Sequence, residues 1–188
     1  INTIAAGSAS HSEGASNQTL SNYSHTEGLE NIATSSSDYS HIEGSKNISY
    51  SQCTHIEGFN NKIETGCEYS HSQGIDNITQ VGSVNNHEKK KKNLVNGKNN
   101  SVGGYSNTSS TSSQNNVVSG RFNSVSGNNN ILNGNANSIV TNTVFYTSDT
   151  SNNNLSGTNN LLIGSNSIVG GQLNNAYGIS NIVSGRSN

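Results

Sequence analysis

The amino-acid sequence predicts an all-β fold, a parallel β-roll or β-helix solenoid built of ~14-residue coils. Three observations lead to this prediction. The composition is too poor in apolar residues for one large core, a histidine-containing pentapeptide recurs through the first half, and glycines recur about every seven residues in the second half. Self-similarity at a fixed short period is typical of a solenoid, in which each coil packs on its neighbours.

The composition limits how the chain can bury apolar surface. Only 28% of its 188 residues are hydrophobic, Pro, Trp and Met are absent, and the formal net charge is −2. Such a low apolar content approaches that of disordered chains, but the small net charge does not hold the chain open. We therefore expect each short segment to bury a little apolar surface against a copy of itself.

The near-neutral charge also bears on possible partners. We expect no nucleic-acid partner, because the one basic cluster, Lys89 to Lys92, is too local to follow a phosphate backbone. No run of about 18 apolar residues occurs, so we expect no direct membrane insertion in this segment. The chain begins at Ile1 without a methionine, and we expect it to be a fragment whose targeting or anchoring signals lie outside it.

Six histidines mark the repeat of the first half, and the successive spacings between them are 14, 16, 14, 16 and 16. The first five lie in similar pentapeptides, each followed three residues after its glycine by an asparagine and then closely by an aliphatic residue. The pentapeptides are SHSEG (10–14), SHTEG (24–28), SHIEG (40–44), THIEG (54–58) and SHSQG (70–74). A last copy, NHEKKKKN at 86–93, keeps the histidine and loses the rest.

Beyond residue 94 the period halves, because glycines now fall mostly seven residues apart with an apolar residue two positions before each. These apolar residues are Val95, Val102, Val118, Val125, Leu132, Leu155, Leu162, Val169, Ala176 and Val183. In the wider gap between Gly134 and Gly157, Ile139 and Tyr146 take the apolar positions. We expect the side chains two residues before glycine to face inward from short parallel strands.

A seven-residue unit punctuated by glycine favours a five-residue strand plus a two-residue turn, twice in each 14-residue coil. The unit is too short for a helix–turn–helix repeat, and Asn, Gly and Ser are poor helix formers. A coiled coil needs two apolar positions and no glycine in each heptad. Glycine supplies the positive φ of a turn, asparagine bonds to turn backbone, and identical residues on stacked coils form ladders.

The change of period predicts three regions. Residues 1–85 form a β-roll of 14- to 16-residue Ser-His-x-Glu-Gly coils, residues 86–93 form a lysine-rich loop that leaves it, and residues 94–188 form a β-roll of heptads, two in each coil. Additions of two residues should bulge at coil corners, where specific contacts are expected. The candidate contact residues are Lys89, Lys90, Lys91, Lys92, Phe145 and Tyr146.

A thin core predicts an oligomer. Each coil encloses only a few inward side chains, which offset little of the backbone ordering cost of roughly 1–2 kcal/mol per residue. Packing against neighbouring chains would bury a second face. We expect this face to include Ile42, Ile56, Ile131, Leu161, Ile168 and Ile182, on the interpretation that none of them lies two residues before a glycine.

The repeats resemble the YadA-like head of trimeric autotransporter adhesins. They resemble more closely the related Ser-His-x-Glu-Gly and Asn-x-Val-Ser-Gly repeats of phage and virus tail-fibre-type proteins. The resemblance covers about residues 10–85 and 94–188. It implies a left-handed parallel β-roll that assembles as a homotrimer, is displayed on the outer surface of a cell or virion, and serves attachment or spacing. The 16-residue coils, the lysine-rich interruption and the Phe145-Tyr146 patch depart from the family pattern.

The His-x-Glu pairs contain the residue types of this sequence that most often serve catalysis or metal binding. Two interpretations remain. In the functional one, the pairs form a ladder of metal sites or a pH-sensitive histidine cluster. In the structural one, hydrogen-bonded His and Glu form a ladder that keeps the coils in register. We favour the structural ladder, formed by His11, His25, His41, His55, His71, Glu13, Glu27, Glu43 and Glu57. Catalysis needs a unique, concave, desolvated site, which near-copies along a convex rod do not provide, so we expect no catalytic residue and no cofactor.

Cys53 and Cys67 are separated in sequence by the length of one 14-residue coil, so they could lie on neighbouring coils. A disulfide between them in an oxidising compartment and two unpaired thiols are equally compatible with the sequence. Their spacing from His55 and His71 matches no recognised zinc pattern.

The predicted function is a non-enzymatic structural or attachment module, the trimeric head or shaft of a surface adhesin or of a phage or virus fibre. Its partner would be a host-surface protein or glycan receptor. Two alternatives remain. A polysaccharide-acting, depolymerase-like β-helix would need a clustered carboxylate pair and sugar-stacking Trp, and Trp is absent. An ice- or crystal-surface binder would need a regular Thr array, which is missing.

Overall fold

The computed structural model describes residues 2–110, 113–139 and 152–188. These residues form about 12 turns of a parallel β-solenoid with ~14-residue coils. No helix occurs in the described part of the chain, and hence none long and apolar enough to cross a membrane. The predicted all-β parallel solenoid is confirmed. The chain divides into two compact units, residues 1–95 and 96–188.

Each coil of unit 1 contains one five-residue strand and one two-residue strand. The five-residue strands are β2 (His11–Ala15), β4 (His25–Leu29), β6 (His41–Ser45), β8 (His55–Phe59), β10 (His71–Ile75) and β12 (His87–Lys91). The two-residue strands are β1 (Ile4–Ala5), β3 (Gln18–Thr19), β5 (Ile32–Ala33), β7 (Ile48–Ser49), β9 (Lys62–Ile63), β11 (Ile78–Thr79) and β13 (Leu94–Val95). Equivalent strands of successive coils pair in parallel and in register, so that His41 lies opposite His55 and Glu43 opposite Glu57.

Unit 2 continues the same pattern and then changes it. One sheet contains β14 (Ser101–Tyr105), β16 (Val117–Arg121), β18 (Ile131–Asn135), β20 (Asn154–Thr158), β22 (Ile168–Gln172) and β24 (Ile182–Arg186). The other contains β15 (Thr108–Ser109), β17 (Ser124–Val125), β19 (Ser138–Ile139), β21 (Leu161–Ser165) and β23 (Asn175–Ile179). Two five-residue strands in each coil were predicted for all of 94–188, and among the described residues of this range they occur only in 154–188.

The prediction that side chains two residues before a glycine face inward identifies the interior of the solenoid correctly. Of the residues predicted to face inward, most are buried: Val95, Val102, Val118, Val125, Leu132, Ile139, Leu155, Leu162, Val169 and Ala176. Val183 lies in the last coil and is partly exposed, and Tyr146 and Phe145 lie outside the described residues. Inward side chains thus come from the second residue of each five-residue strand and from the strand opposite.

Two residues assigned to the outer face lie in the core instead. Ile42 and Ile56 are fully buried in unit 1, so the prediction that they pack against another chain is wrong. They stand two residues before Gly44 and Gly58, and the inward rule of the second half applies to the first half as well. In other coils this position holds a polar residue, as at Thr26.

The lysine-rich segment is also not a loop. Residues 87–91 form β12, which pairs in register with β10, so the prediction that 86–93 leaves the β-roll is wrong. The histidine of the last copy still aligns with those before it, and the backbone follows that alignment. Lys90 takes the glycine position and adopts a positive φ of 83°. The division into units falls after Val95, two residues beyond the predicted end of the loop.

Candidate functional site

A column of stacked imidazoles runs along the outer face of unit 1. Each histidine is the first residue of a five-residue strand, and in-register parallel pairing places successive rings about 4.8 Å apart. The ring centroids of His41 and His55 are 5.1 Å apart with planes at 4°, and those of His55 and His71 are 4.7 Å apart at 5°. At the two ends, His11 against His25 and His71 against His87 meet edge to face.

The glutamates lie two residues further along the same strands and on the same face. A contact of 3.6 Å joins His11 Nε2 to Glu13 Oε2, with both side chains mostly exposed. Glu57 instead accepts a hydrogen bond of 2.8 Å from Gln73 Nε2 of the next coil. Glu27 and Glu43 extend the outward column. The histidine column is thus held by ring stacking, whereas the sequence predicted hydrogen bonds between His and Glu.

Burial and nearby charge lower the pKa of the last two histidines of the column, His71 and His87. Desolvation, with further contributions from His55, His87 and Lys89, lowers the pKa of His71 to about 4. Desolvation followed by the Lys89 charge also lowers the pKa of His87. The Nε2 atoms of His25 and His71 are buried and have no hydrogen-bond partner in the described part of the chain. Two imidazole nitrogens are therefore available to a ligand.

Asparagine ladders keep the coils in register. In unit 1, Asn47 Nδ2 donates to the carbonyl oxygens of Glu43 in its own coil and Gly58 in the next, at 2.9 and 2.8 Å. Its Oδ1 accepts the backbone N–H of Asn61. The unit 1 ladder is Asn17, Asn31, Asn47, Asn61, Asn77 and Asn93. The predicted ladder of identical residues is confirmed, and it uses the asparagine rather than the His–Glu pair.

Unit 2 has an asparagine ladder at each of two corners. One is Asn107, Asn123, Asn137, Asn160, Asn174 and Asn188. The other is Asn100, Asn116, Asn130, Asn153, Ser167 and Asn181. At the second corner of unit 1 serine and threonine stand instead, with Ser40 N–H donating to Ser24 Oγ. The doubling of the ladder explains why the sequence period halves in the second half.

Sequence reasoning missed a buried carboxyl group in the lysine-rich coil. Glu88 is fully buried and accepts hydrogen bonds from the hydroxyls of Thr79 and Ser72. Burial raises its pKa to about 8, although both hydrogen bonds act in the opposite direction. The sequence contained the information needed to predict this, because alignment of His87 with the earlier histidines puts Glu88 at the inward position.

Cys53 and Cys67 are both free thiols. Cys53 is partly exposed at a corner with a positive φ of 54°, the position that Tyr39 and Tyr69 take in neighbouring coils. Cys67 is buried, donates through Sγ to the carbonyl oxygen of Gln80, and has its pKa raised to about 11 by burial.

Other surface features of unit 1 are shallow or flat. A cleft of about 210 Å³ is lined by Tyr50, Lys62, Glu64, Thr65 and Val81. Lys62 Nζ donates to Glu64 Oε1 at 2.9 Å, which raises the lysine pKa.

Exposed tyrosines, here called the tyrosine column, stand at the corner before three of the six histidines. Tyr23 and Tyr39 stack with ring centroids 5.1 Å apart, and Tyr69 is exposed two coils beyond Tyr39. The column presents aromatic rings and hydroxyl groups to the solvent.

Comparison with known proteins adds no relative. Neither a scan against models of protein families nor a search of curated proteins finds a match to this chain.

Proposed function

We propose that the chain is a non-enzymatic structural or attachment module that assembles as a homotrimer on the outer surface of a cell or virion. The observation that carries the proposal is an apolar column on the outside of unit 2. It consists of Val117, Ile131, Ile168 and Ile182, which are 48%, 50%, 55% and 82% exposed.

The column has the geometry of an interface between copies. Its members are the first residues of β16, β18, β22 and β24. Pairing in register aligns them in one row, in which Asn154, the first residue of β20, lies between Ile131 and Ile168. Two residues further along these strands the side chains are small and uncharged, as at Ser119, Gly170 and Ser184. A neighbouring chain can approach the first three positions of these strands closely without burying a charge, and Arg121 and Arg186 lie at the strand ends. Exposed apolar surface of this regularity favours a protein partner.

A second copy of the same chain is the partner with a matching period. Two stacks of parallel coils repeat at the same spacing of about 4.8 Å, so their apolar columns can meet along their whole length. The number of chains, three, follows from the resemblance to YadA-like heads and tail-fibre repeats.

The attachment role draws on the exposed tyrosine column of unit 1. Tyrosine combines a large apolar ring with a hydroxyl group, which suits contact with a host-surface protein or glycan. The His and Glu side chains recur on an outward face in coil after coil. General acid–base catalysis depends instead on a single desolvated pair, so we assign them no catalytic role.

Binding and turnover can be measured on one set of glycans. The labelled chain is applied to a panel of immobilised bacterial and animal glycans, and reducing ends released from the same glycans are counted. We expect saturable binding without release. Release of reducing ends that disappears in the His41→Ala/Glu43→Ala variant would contradict a non-enzymatic role.

Substitution of the tyrosines separates specific attachment from adsorption. Tyr39→Ala/Tyr69→Ala should weaken the saturable binding, because it removes exposed rings. The matched change Ser35→Ala/Ser36→Ala alters two exposed side chains of unit 1 without touching the column and should leave binding unchanged. Equal binding by both variants would contradict attachment through the tyrosine column.

A further inference from the structure

Two groups of His and Glu on the imidazole column bring three potential metal ligands together. His11, Glu13 and His25 form one group. His55, Glu57 and His71 form the other, which we call the upper cluster, and its ligand atoms all lie within 4.8 Å of one another. Both groups use the same pattern, a histidine and a glutamate from one strand and the histidine of the next coil.

The fold builds the upper cluster from two adjacent strands. β8 supplies His55 and Glu57, two residues apart and therefore on one face, and β10 supplies His71 directly opposite His55. Gln73 of β10 lies opposite Glu57 and donates to its Oε2 at 2.8 Å. One carboxylate oxygen is thereby held in place, and the other remains to accept a further partner. Hydrogen bonds that orient a ligating carboxylate are typical of metal sites.

The upper cluster also contains an imidazole nitrogen without a partner. His71 Nε2 is buried and makes no hydrogen bond in the described part of the chain, which is unfavourable for a polar atom. An imidazole nitrogen without a hydrogen-bond partner can offer its lone pair to a metal ion.

We propose that His55, Glu57 and His71 bind a divalent transition-metal ion of the Zn²⁺ class and so join two neighbouring coils. Two imidazoles and one carboxylate are a known ligand set for Zn²⁺, with a fourth position left for water or another ligand. Imidazole nitrogen at about 2.0–2.1 Å from the ion requires the two rings to turn out of their parallel stack. His55 is exposed, and turning its ring toward the ion breaks its stacking on His41 and His71.

The first group is the weaker of the two. The side chains of His11 and Glu13 are 64% and 67% exposed, so both are well hydrated before any ion binds. The upper cluster is more buried at Glu57 and has its carboxylate fixed by Gln73.

Zinc titration of the tag-free chain tests the site. Isothermal titration calorimetry with ZnCl₂ is done on the His11→Ala chain, in which the first group lacks a ligand. We expect one ion per chain. Adding His71→Ala or Glu57→Gln should weaken Zn²⁺ binding about tenfold or more, whereas Glu43→Gln should leave it unchanged. Glu43 is the matched control because it has the same strand position in β6 and belongs to neither group.

Histidine side-chain NMR gives a second readout that does not depend on the variants folding equally well. In the His11→Ala chain, Zn²⁺ should shift the imidazole signals of His55 and His71 and leave that of His25, which stacks on neither of them, in place. Equal shifts of every histidine, or binding that survives both His71→Ala and Glu57→Gln, would overturn the proposal. Loss of binding in Glu43→Gln as well would show diffuse surface association instead of the site.

Discussion

Asn61 donates its backbone N–H to Oδ1 of Asn47, one coil earlier, at 2.9 Å. The bond recurs at every step of the unit 1 ladder, at distances from 2.8 to 3.0 Å. Each buried asparagine thus satisfies backbone groups of two coils at once. In a chain with few apolar residues, these bonds fix which residue of one coil faces which residue of the next.

Removal of one ladder asparagine should destabilise the fold strongly. Asn61→Ala leaves the carbonyl oxygens of Glu57 and Gly74 and the N–H of Asn77 without their side-chain partner. Each unsatisfied buried group costs about 1–3 kcal/mol, so a total of about 3 kcal/mol or more is expected. Urea denaturation measures the change, with exposed Ser36→Ala as the control. Equal unfolding midpoints for both variants would contradict the structural role of the ladder.

The strand glycines should not tolerate a side chain. A Cβ on Gly58 would overlap with the carbonyl oxygen of Gly74, and its φ of 120° is unfavourable for other residues. Gly58→Ala should therefore destabilise by roughly 3 kcal/mol or more. Gly103→Ala is the matched control, because a Cβ there meets nothing within 4 Å. Thermal unfolding followed by circular dichroism compares the two, and a harmless Gly58→Ala would show that the coils are spaced differently.

The buried Glu88 should make stability depend on pH. The unfolded carboxyl group ionises above its ordinary pKa of 4.5, whereas the folded one stays protonated until about pH 8. Glu88 alone should therefore decrease the unfolding free energy by about 1.4 kcal/mol for each pH unit between 4.5 and 8. The lowered pKa of His71 acts in the opposite direction up to about pH 6.5, so the decrease in the wild type should appear between pH 6.5 and 8. Glu88→Gln should remove this decrease and be more stable than the wild type at pH 8.

Denaturation series at several pH values from 5 to 9 measure the effect of Glu88. Glu43→Gln, on the outer face, is the control and should keep the pH dependence of the wild type. If Glu88→Gln and wild type lose stability in parallel as the pH rises, the carboxyl group is not buried in the folded chain.

Lys90 should be replaceable by glycine with a gain in stability. It occupies the glycine position of its coil with a φ of 83°, which a residue with a Cβ adopts at a cost of about 1–2 kcal/mol. Lys90→Gly should raise the unfolding free energy by about 1 kcal/mol. Lys91→Gly, at the next residue of the same strand, should lower it by about 0.5–1 kcal/mol. Chemical denaturation of both variants tests the sign, and a less stable Lys90→Gly would show that this lysine is not strained.

Periodicity was sufficient to predict the solenoid and most of its core. Leu132, Leu155 and Val169 are buried because their spacing from glycine fixes the side of the strand on which they lie. The same rule applied to unit 1 would have placed Ile42 and Ile56 inside, and alignment of His87 with the earlier histidines would have placed Glu88 there as well. The histidine dominates the repeat of unit 1, and it indicates the outer face of its strand rather than the inner one.

Contacts between side chains were harder to predict from the sequence. The His–Glu spacing shows that both residues share a face, but ring stacking competes with hydrogen bonding, and the choice depends on rotamers. For Cys53 and Cys67, spacing placed them on neighbouring coils without saying that one lies at an exposed corner and the other inside. Such differences depend on the two-residue additions that lengthen some of the coils.

The central claim is that three copies of the chain form one assembly whose stability depends on burial between them. Sedimentation equilibrium on the purified chain measures this most directly. We expect a mass about three times the 19.7 kDa of one chain. Ile131→Asp/Ile168→Asp, which puts two charges on the exposed apolar column of unit 2, should dissociate the assembly and abolish the β-sheet circular dichroism signal together, whereas the exposed Ser36→Asp should do neither. A folded, soluble species of 19.7 kDa, in the wild type or in the double variant, would contradict the claim.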